Sequence, residues 1–276
     1  MINTWLQSTP SVPSHKLYGM ISVVEIGPPS DNVKDYLGHE IISSYHNLDD
    51  LKGLYEHLPE NRLRDYIKDY VLPSDAHQLT LNVRQGDFSE VLASLIVSYF
   101  EKRIVPLKKM RWKFNKDKSV FSTDMFAHNA GNEISDLYYY EIKSRLNTTY
   151  KEGKAPDRFY ITVHAHNSLL KDMNQPNEGI ADFLSKMYSY VKDYDSARKY
   201  HDIILNPTKY NRAYELFFII ETSKFNPAIL DDLENLPPTL KPLCVTIVLI
   251  GNLARLMVDL QQRAVQQAVD YIHPAP

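Results

Sequence analysis

Cysteine is almost absent from this chain of 276 residues, which contains Cys244 alone. A single cysteine cannot form a disulfide within the chain, which excludes the disulfide-stapled scaffolds of small secreted proteins. Long apolar runs are also lacking: the longest, from Leu243 to Ile250, is interrupted by Thr246 and is far shorter than the roughly 20 residues of a membrane helix. The N-terminus has no basic start followed by an apolar run, so no signal peptide is predicted. We therefore expect a cytoplasmic protein.

An excess of positive charge is lacking as well, since the formal net charge is −3. The chain as a whole is not a basic nucleic-acid binder, so attraction to nucleic acid has to come from a local patch or from a partner. There is no Walker-type glycine loop for ATP hydrolysis and no Gly-x-Ser-x-Gly motif of a serine hydrolase. With 43% hydrophobic and 24% charged residues, the composition is that of a globular protein with a sizeable core.

The first 80 residues are predicted to form a small, mostly helical region. Residues 1–16 are rich in Ser, Pro and Thr and are predicted to be a loose end. Residues 17–26 form a candidate strand, closed by Gly27-Pro28-Pro29, and residues 31–72 have apolar side chains at helical spacing.

Residues 81–276 are predicted to form the second domain, with an α/β core. A helix opens at Gly86-Asp87, where apolar residues begin to recur with a period near 3.6. Strands and helices then alternate, which favours a sheet covered by helices. The predicted strands are residues 109–114, 120–127, 137–145, 216–220 and 243–250, and the segment from residue 159 to 165 is either a strand or the start of a helix.

The candidate chemical site consists of Asp124, Glu141 and Lys143. Residues two apart on a strand point to the same side, so Glu141 and Lys143 project together, away from Tyr140 and Ile142. The turn at residues 129–132 can bring the strand of Asp124 beside them. Carboxylates from adjacent strands can hold Mg²⁺, which prefers oxygen ligands, and Lys143 could orient a water or stabilise developing negative charge.

Several features of this site have alternative readings. Glu90 is a candidate third acid, but Asp87 and Glu90 also have the spacing of a capping box, which needs no catalysis. Asp136 is an alternative first acid, although its spacing from Glu141 puts it on the opposite face of the strand. An acid-x-lysine triplet such as Glu141-Ile142-Lys143 is, taken alone, most often a solvated strand face.

A basic run precedes the site. On a strand, Lys109, Arg111 and Lys113 would share one face, separated by Met110 and Trp112. Such a face could follow the phosphates of DNA, although a run of this kind is more often simply solvated.

The order of these motifs resembles the PD-(D/E)xK nuclease superfamily and, within it, the HamA-like family once called DUF1837, the nuclease subunit of Hachiman-type bacterial anti-phage systems. The resemblance covers roughly residues 80 to 270 and rests on Gly86-Asp87-Phe88-Ser89-Glu90, Thr123-Asp124-Met125 and Glu141-Ile142-Lys143. Threonine stands at position 123, where the superfamily's name has proline.

The resemblance implies a restriction-endonuclease-like core, with a mixed central sheet flanked by helices, and phosphodiester hydrolysis that depends on Mg²⁺ or Mn²⁺. It also implies a partner helicase of the HamB-like, superfamily 2 type. Asp124, Glu141 and Glu90 become metal ligands, and Lys143 becomes the catalytic lysine. The leading hypothesis is a DNA nuclease that acts in anti-phage defence. The alternative is a subunit that keeps the fold without catalysis and bridges a helicase to other factors.

Overall fold

The computed structural model describes residues 1–11, 18–117, 123–145, 161–173, 179–235 and 239–274. In these ranges the chain forms a mixed seven-stranded sheet and eight α-helices, which confirms the predicted α/β class. The strands are β1 (Leu6–Ser11), β2 (Gly19–Glu25), β3 (Arg103–Ile104), β4 (Met125–Asn129), β5 (Asp136–Arg145), β6 (Asn211–Glu221) and β7 (Leu243–Ile250). The helices are α1 (Asp31–Tyr45), α2 (Leu48–Tyr55), α3 (Glu60–Tyr66), α4 (Gln78–Ile96), α5 (Ile161–Met173), α6 (Gly179–Tyr190), α7 (Tyr194–Leu205) and α8 (Leu253–Ile272).

The strands lie in the order β1-β2-β7-β6-β5-β4-β3. The central strands β2, β7, β6 and β5 are parallel, whereas β1 at one edge and β4 and β3 at the other are antiparallel to their neighbours. Helices cover both faces of the central strands, so these strands need apolar side chains on both sides. This explains the continuous apolar runs in β6 and β7, which made both strands predictable.

Two hydrophobic layers hold the sheet. Helices α1, α4 and α8 pack on one face, where Phe88 and Leu92 of α4 meet Tyr140 and Ile142 of β5. Helix α5 packs on the other face, where Leu169 joins the apolar side chains of β6 and β7. Helices α6 and α7 cover the edge near β4. None of the described helices is both long and apolar enough to cross a membrane.

The N-terminal segment departs from the prediction. Residues 1–11 are not a loose end: Leu6–Ser11 pairs along its whole length with β2. Trp5 is buried, and its Nε1 donates a hydrogen bond to Glu25 Oε1 at 2.8 Å. The first 80 residues thus add β1 and β2 to the common sheet and add α1 to the same core as α8. Residues 12–16 of the predicted loose end lie outside the described residues.

Helix α4 and the basic run also differ from the prediction. The helix begins at Gln78, two turns before Gly86, so Asp87 and Glu90 lie in its middle and not in a capping box. The predicted strand at 109–114 is wrong, because Lys109–Trp112 forms a 3-10 helix. Of the predicted strand at 120–127, residues 118–122 lie outside the described residues and pairing begins at Met125. The ambiguous segment before Ala165 is helical from Ile161, while residues 159 and 160 lie outside the described ranges.

Candidate functional site

The pairing of β4 with β5 positions the candidate site. The two strands are antiparallel, with Met125 opposite Tyr140, and the predicted turn between them is present. This register puts Asp124, just before β4, next to Glu141. Tyr140 and Ile142 point into the core against α4, so Glu141 and Lys143 point to the opposite face, as their alternation predicted.

The structure brings Asp124, Glu141 and Lys143 together. Asp124 Oδ2 accepts a hydrogen bond from the backbone N–H of Ile142 at 2.8 Å, which fixes the carboxylate against β5. Lys143 Nζ lies 3.8 Å from the same oxygen and donates a short hydrogen bond to Glu141 Oε1. One ammonium group therefore bridges two carboxylates from neighbouring strands.

Glu141 is the most deeply buried of the three, with 2% of its surface exposed. Its Oε2 is buried and accepts no hydrogen bond. Burial and the charge of Asp124 raise the pKa of Glu141 to about 7, although Lys143 and the neighbouring Ser168 hydroxyl of α5 oppose this. A carboxylate with one oxygen unsatisfied in the interior is costly unless it receives a cation or a proton.

Glu90, on α4, approaches Asp124 from the other face of the sheet and is paired with a lysine. Its carboxylate lies 2.8 Å from Lys109 Nζ, and that amine also donates to the backbone oxygen of Thr123 at 3.3 Å. Burial raises the pKa of Glu90 to about 8, against the influence of Lys109. Burial disfavours the charged form of Lys109, but Glu90 and Asp124 outweigh it and raise the lysine's pKa. Lys109 therefore stands in the electrostatic field of both acids.

A second pair extends this cluster along α4. Lys113 Nζ lies 2.5 Å from Asp87 Oδ2, which also accepts a hydrogen bond from the Tyr45 hydroxyl at 2.5 Å. Burial raises the pKa of Asp87, and Lys113 opposes the shift. Arg111, between the two lysines, donates to the backbone oxygen of Ser43 at 2.6 Å.

The basic run therefore does not present three cations on one face. Lys109 and Lys113 turn inward to the acids of α4, and both side chains are almost fully buried. DNA contact by Lys109, Arg111 and Lys113 stays a prediction, but the face from which it was inferred is not formed. Alternation in sequence suggested a strand, whereas the pairing of the lysines with Asp87 and Glu90 bends the segment into a helical turn.

A cavity of about 190 Å³ adjoins the site. Glu90, Lys109 and Asp124 line one part of it, and Ser94, Phe126 and Ile180 line another. The cavity gives small molecules a route to Asp124 and Glu90 from the side of α4, while Glu141 and Lys143 lie on the other side of Asp124.

The donor set fits a divalent cation only in part. Asp124 and Glu141 supply hard oxygen atoms on adjacent strands, and the unsatisfied Oε2 of Glu141 is an acceptor without a partner. Within the described residues, however, no three His, Cys, Asp or Glu side chains are grouped closely enough to hold a metal ion together. Glu90, the expected third ligand, has Lys109 against it.

The alternative first acid, Asp136, lies far from the site. It begins β5 and is hydrogen-bonded to Ser135 and Asn211. Five residues, or roughly 17 Å of strand, separate it from Glu141.

Sequence reasoning missed the pairing of Asp87 with Lys113. The i, i+3 spacing of Asp87 and Glu90 on one helix was the available signal, because it puts both acids on the same side of α4.

Comparison with known proteins gives one family. No curated protein sequence matches the chain. A model of the HamA family matches residues 1–254, which includes the N-terminal strands that the motifs alone did not cover. Because this match spans most of its length, the chain belongs to the HamA family, which implies a role in Hachiman-type defence.

Proposed function

We propose that this chain is a metal-dependent DNA nuclease with a PD-(D/E)xK core, acting in Hachiman-type defence with a partner helicase. The observation that carries the proposal is the meeting of Asp124, Glu141 and Lys143 at the junction of β4 and β5. Two acids and one amine on adjoining strands form the group of side chains that phosphodiester hydrolysis requires at one point: oxygen ligands for a cation and a positive charge for the reacting phosphate.

The residues of the chain divide the work as follows. Asp124, fixed by the Ile142 N–H, and Glu141, with its free Oε2, would hold Mg²⁺ or Mn²⁺. The bound ion supplies Lewis-acid polarisation of the scissile phosphate and lowers the pKa of a bound water. Lys143, held by Glu141, keeps a positive charge beside the point of attack, where it orients a water molecule and stabilises negative charge as it develops.

Glu90 supports this site from α4. It lies close enough to Asp124 for the charge of Asp124 to raise its pKa, but its carboxylate is paired with Lys109. Glu90 would become a metal ligand only if Lys109 moved out of the space between the acids. We therefore infer that the main role of Glu90 is to hold Lys109, and that binding the metal is a secondary role.

The need for a partner follows from charge. The chain carries a net charge of −3, and its most concentrated basic run directs two lysines inward. A mildly acidic nuclease attracts DNA weakly, so most of the affinity would come from the helicase subunit. Basic residues of the helicase would neutralise the phosphates of the DNA and bring the strand to the site.

The test is cleavage of plasmid DNA by the purified chain, with and without the helicase, in Mg²⁺ and in EDTA. We expect Mg²⁺-dependent nicking that requires the helicase and is lost in Glu141→Ala and Lys143→Ala. Lys186→Ala is the matched control, since this lysine is exposed on α6 in an i, i+4 pair and lies outside the site. Unrestrained cleavage by the isolated chain would contradict the division of labour.

The second candidate function is a non-catalytic adaptor that bridges the helicase to other factors. The structural observation in its favour is that, among the described residues, no three side chains are grouped to hold a metal ion. An adaptor predicts that Glu141→Ala and Lys143→Ala leave phage resistance unchanged in cells, while both variants still bind the helicase. Loss of resistance with retained helicase binding supports the nuclease.

A further inference from the structure

A second cavity, of about 550 Å³, lies away from the cavity at Glu90. Its walls come from the helical segment Ile67–Val71 that directly follows α3, from the first half of α4 and from α8. Three cations line it, Lys68, Arg84 and Lys116, and α8 adds the amides of Gln261 and Gln262. All five side chains can donate hydrogen bonds, which suits an anionic ligand.

Arg84 is the unusual member of this group. Its side chain is only 9% exposed, yet its one ion pair within the described part of the chain is with Asp75, at 3.8 Å. That distance is too long for a hydrogen bond, and Asp75 itself is 74% exposed. Burial lowers the pKa of Arg84, with Asp75 opposing the shift only in part.

Two other buried cations, Arg103 and Lys113, have close acidic partners. Arg103 lies 2.8 Å from both Glu101 and Glu215, and Lys113 lies 2.5 Å from Asp87. Buried charges in proteins are normally paired and hydrogen-bonded in this way, because an isolated one is costly. A guanidinium group that is buried, poorly paired and on the wall of a polar cavity is therefore in position for a partner from outside the chain.

We propose that this cavity binds a phosphate group of a nucleic-acid strand, with Arg84 as the anchor and Lys68 and Lys116 beside it. The planar guanidinium group matches two phosphate oxygens, and the exposed Asp75, at 3.8 Å, does not take up its hydrogen bonds. Asp69 also lines the cavity, and Lys116 is paired with Asp117 at 3.3 Å, so the three cations have three acids near them. The case for an anionic ligand therefore rests on the poor pairing of Arg84 and not on an excess of positive charge.

The choice of a nucleic acid rests on the proposed function and on position. Arg84 and Glu90 lie on the same helix, six residues apart, which is roughly 9 Å along the helix axis. The cavity therefore adjoins the helix that also carries Glu90, and a nucleic-acid strand could contact both parts of that helix. Gln85, next to Arg84, donates to Ser144 Oγ at 3.0 Å and so ties this part of α4 to the end of β5.

The experiment measures DNA binding without cleavage. Fluorescence anisotropy follows a labelled duplex and a labelled single strand with the full chain, at low salt and in EDTA. We expect Arg84→Gln to weaken binding about tenfold and the exposed Lys68→Gln about threefold. Each should reduce the dependence of binding on salt concentration by about one phosphate contact, a slope change of about 0.7 to 0.9. Arg198→Gln, an exposed arginine on α7, is the matched control and should bind as the parent chain does.

A second arm distinguishes a strand phosphate from a free one. Inorganic phosphate is added in thermal-shift measurements of the parent chain and of Arg84→Gln. Competition of millimolar phosphate with DNA, lost in Arg84→Gln, supports the proposal. Stabilisation by phosphate without any effect of Arg84→Gln or Lys68→Gln on DNA binding would show a site for free phosphate and overturn it. Unchanged binding of both ligands in both variants would also overturn it.

The binding test can be interpreted even if Arg84→Gln fails to fold or the chain is not a nuclease. Lys68 is exposed, so Lys68→Gln keeps the test valid if Arg84→Gln unfolds, which circular dichroism detects. Since binding is measured in EDTA, a chain that binds DNA through Arg84 but never cleaves it would contradict the nuclease alone. A chain that cleaves DNA with normal affinity in both variants would contradict this inference alone.

Discussion

Replacing Glu141 by glutamine should make the metal-free protein more stable while removing its activity. Glutamine keeps the shape of the side chain but carries no charge. Glu141 is 2% exposed, has one oxygen without a hydrogen bond and faces the charge of Asp124. A site that binds a cation is expected to be strained in this way when the cation is absent, because function and stability make opposite demands on the same residue.

The magnitude follows from the pKa of Glu141. Its rise from 4.5 to about 7 corresponds to about 3 kcal/mol of destabilisation once the group is ionised, since each pKa unit is worth about 1.4 kcal/mol. Part of this is offset in the variant, because Lys143 loses its closest carboxylate and keeps only Asp124, at 3.8 Å. We therefore expect Glu141→Gln to raise the free energy of unfolding by about 1 to 2 kcal/mol at pH 8.

The stability gained by Glu141→Gln depends on pH between the pKa values of Glu141 in the unfolded and folded chain. The unfolded chain releases the proton of Glu141 near pH 4.5, whereas the folded chain holds it until about pH 7. The contribution of this group to stability is therefore fully present below pH 4.5 and is lost as the pH rises through 7. The advantage of Glu141→Gln should be close to zero at pH 4.5 and complete at pH 8.

Urea denaturation in EDTA, followed by circular dichroism at pH 5 and pH 8, measures this difference. The exposed Glu133→Gln, in the turn between β4 and β5, is the control and should shift stability by less than about 0.5 kcal/mol at both pH values. If Glu141→Gln were less stable than the parent chain at pH 8, or differed from it equally at both pH values, the reasoning from buried charge would be refuted.

Four further variants test the packing and the cluster. Gly38→Ala should destabilise the protein by about 1 to 3 kcal/mol in urea denaturation, because the new Cβ would lie 2.7 Å from a side-chain atom and 2.8 Å from a backbone atom of Arg263 on α8. Gly86→Ala, in α4 with nothing within 4 Å, should instead stabilise it by about 0.5 to 1 kcal/mol; a loss there would contradict the mid-helix position. Trp5→Ala should lower the free energy of unfolding by about 3 to 5 kcal/mol, because Trp5 is buried. A loss below about 0.5 kcal/mol, as for a surface residue, would mean that the N-terminal segment contributes little to the core. Lys109→Met should tighten Mn²⁺ binding about tenfold in isothermal titration, because the ammonium group no longer competes for Glu90, and unchanged affinity would contradict this competition.

The parts of the fold that depend on local pattern were predictable from the sequence. Strand β7 and the continuous core of β6 are apolar runs because helices cover both their faces, and α8 follows β7 with clear helical spacing. The N-terminal strand was not predictable in this way. Its residues include Ser8, Thr9 and Pro10, which resemble a loop, and their strand conformation depends on pairing with β2 at the edge of the sheet.

In the candidate site, too, features that depend on local pattern were predictable and features that depend on distant contacts were not. Alternation along β5 predicted which way Glu141 and Lys143 point, because the side-chain period of a strand is a local property. The partners of Glu90 were hidden, because they come from a segment whose shape depends on contact with α4. Alternating cations at 109, 111 and 113 imitate a strand, and sequence alone does not reveal that two buried carboxylates draw the first and last of them inward.

The internal lysines change how the acidic site should be understood. Asp87, Glu90, Asp124 and Glu141 would together form a strongly negative cluster, which would repel a phosphate backbone. Three lysines, at 109, 113 and 143, lie among them and would leave a local charge of −1 with every acid ionised, and the raised pKa values of Glu90 and Glu141 make the cluster less negative still. Their amines stabilise the acids in the absence of metal, yet because they are buried they contribute little attraction at long range. If the proposed function is right, attraction of DNA has to arise elsewhere, from the poorly paired Arg84 in the first half of α4 and from the proposed partner, and the role of the cluster itself is to position the cation and the reacting phosphate.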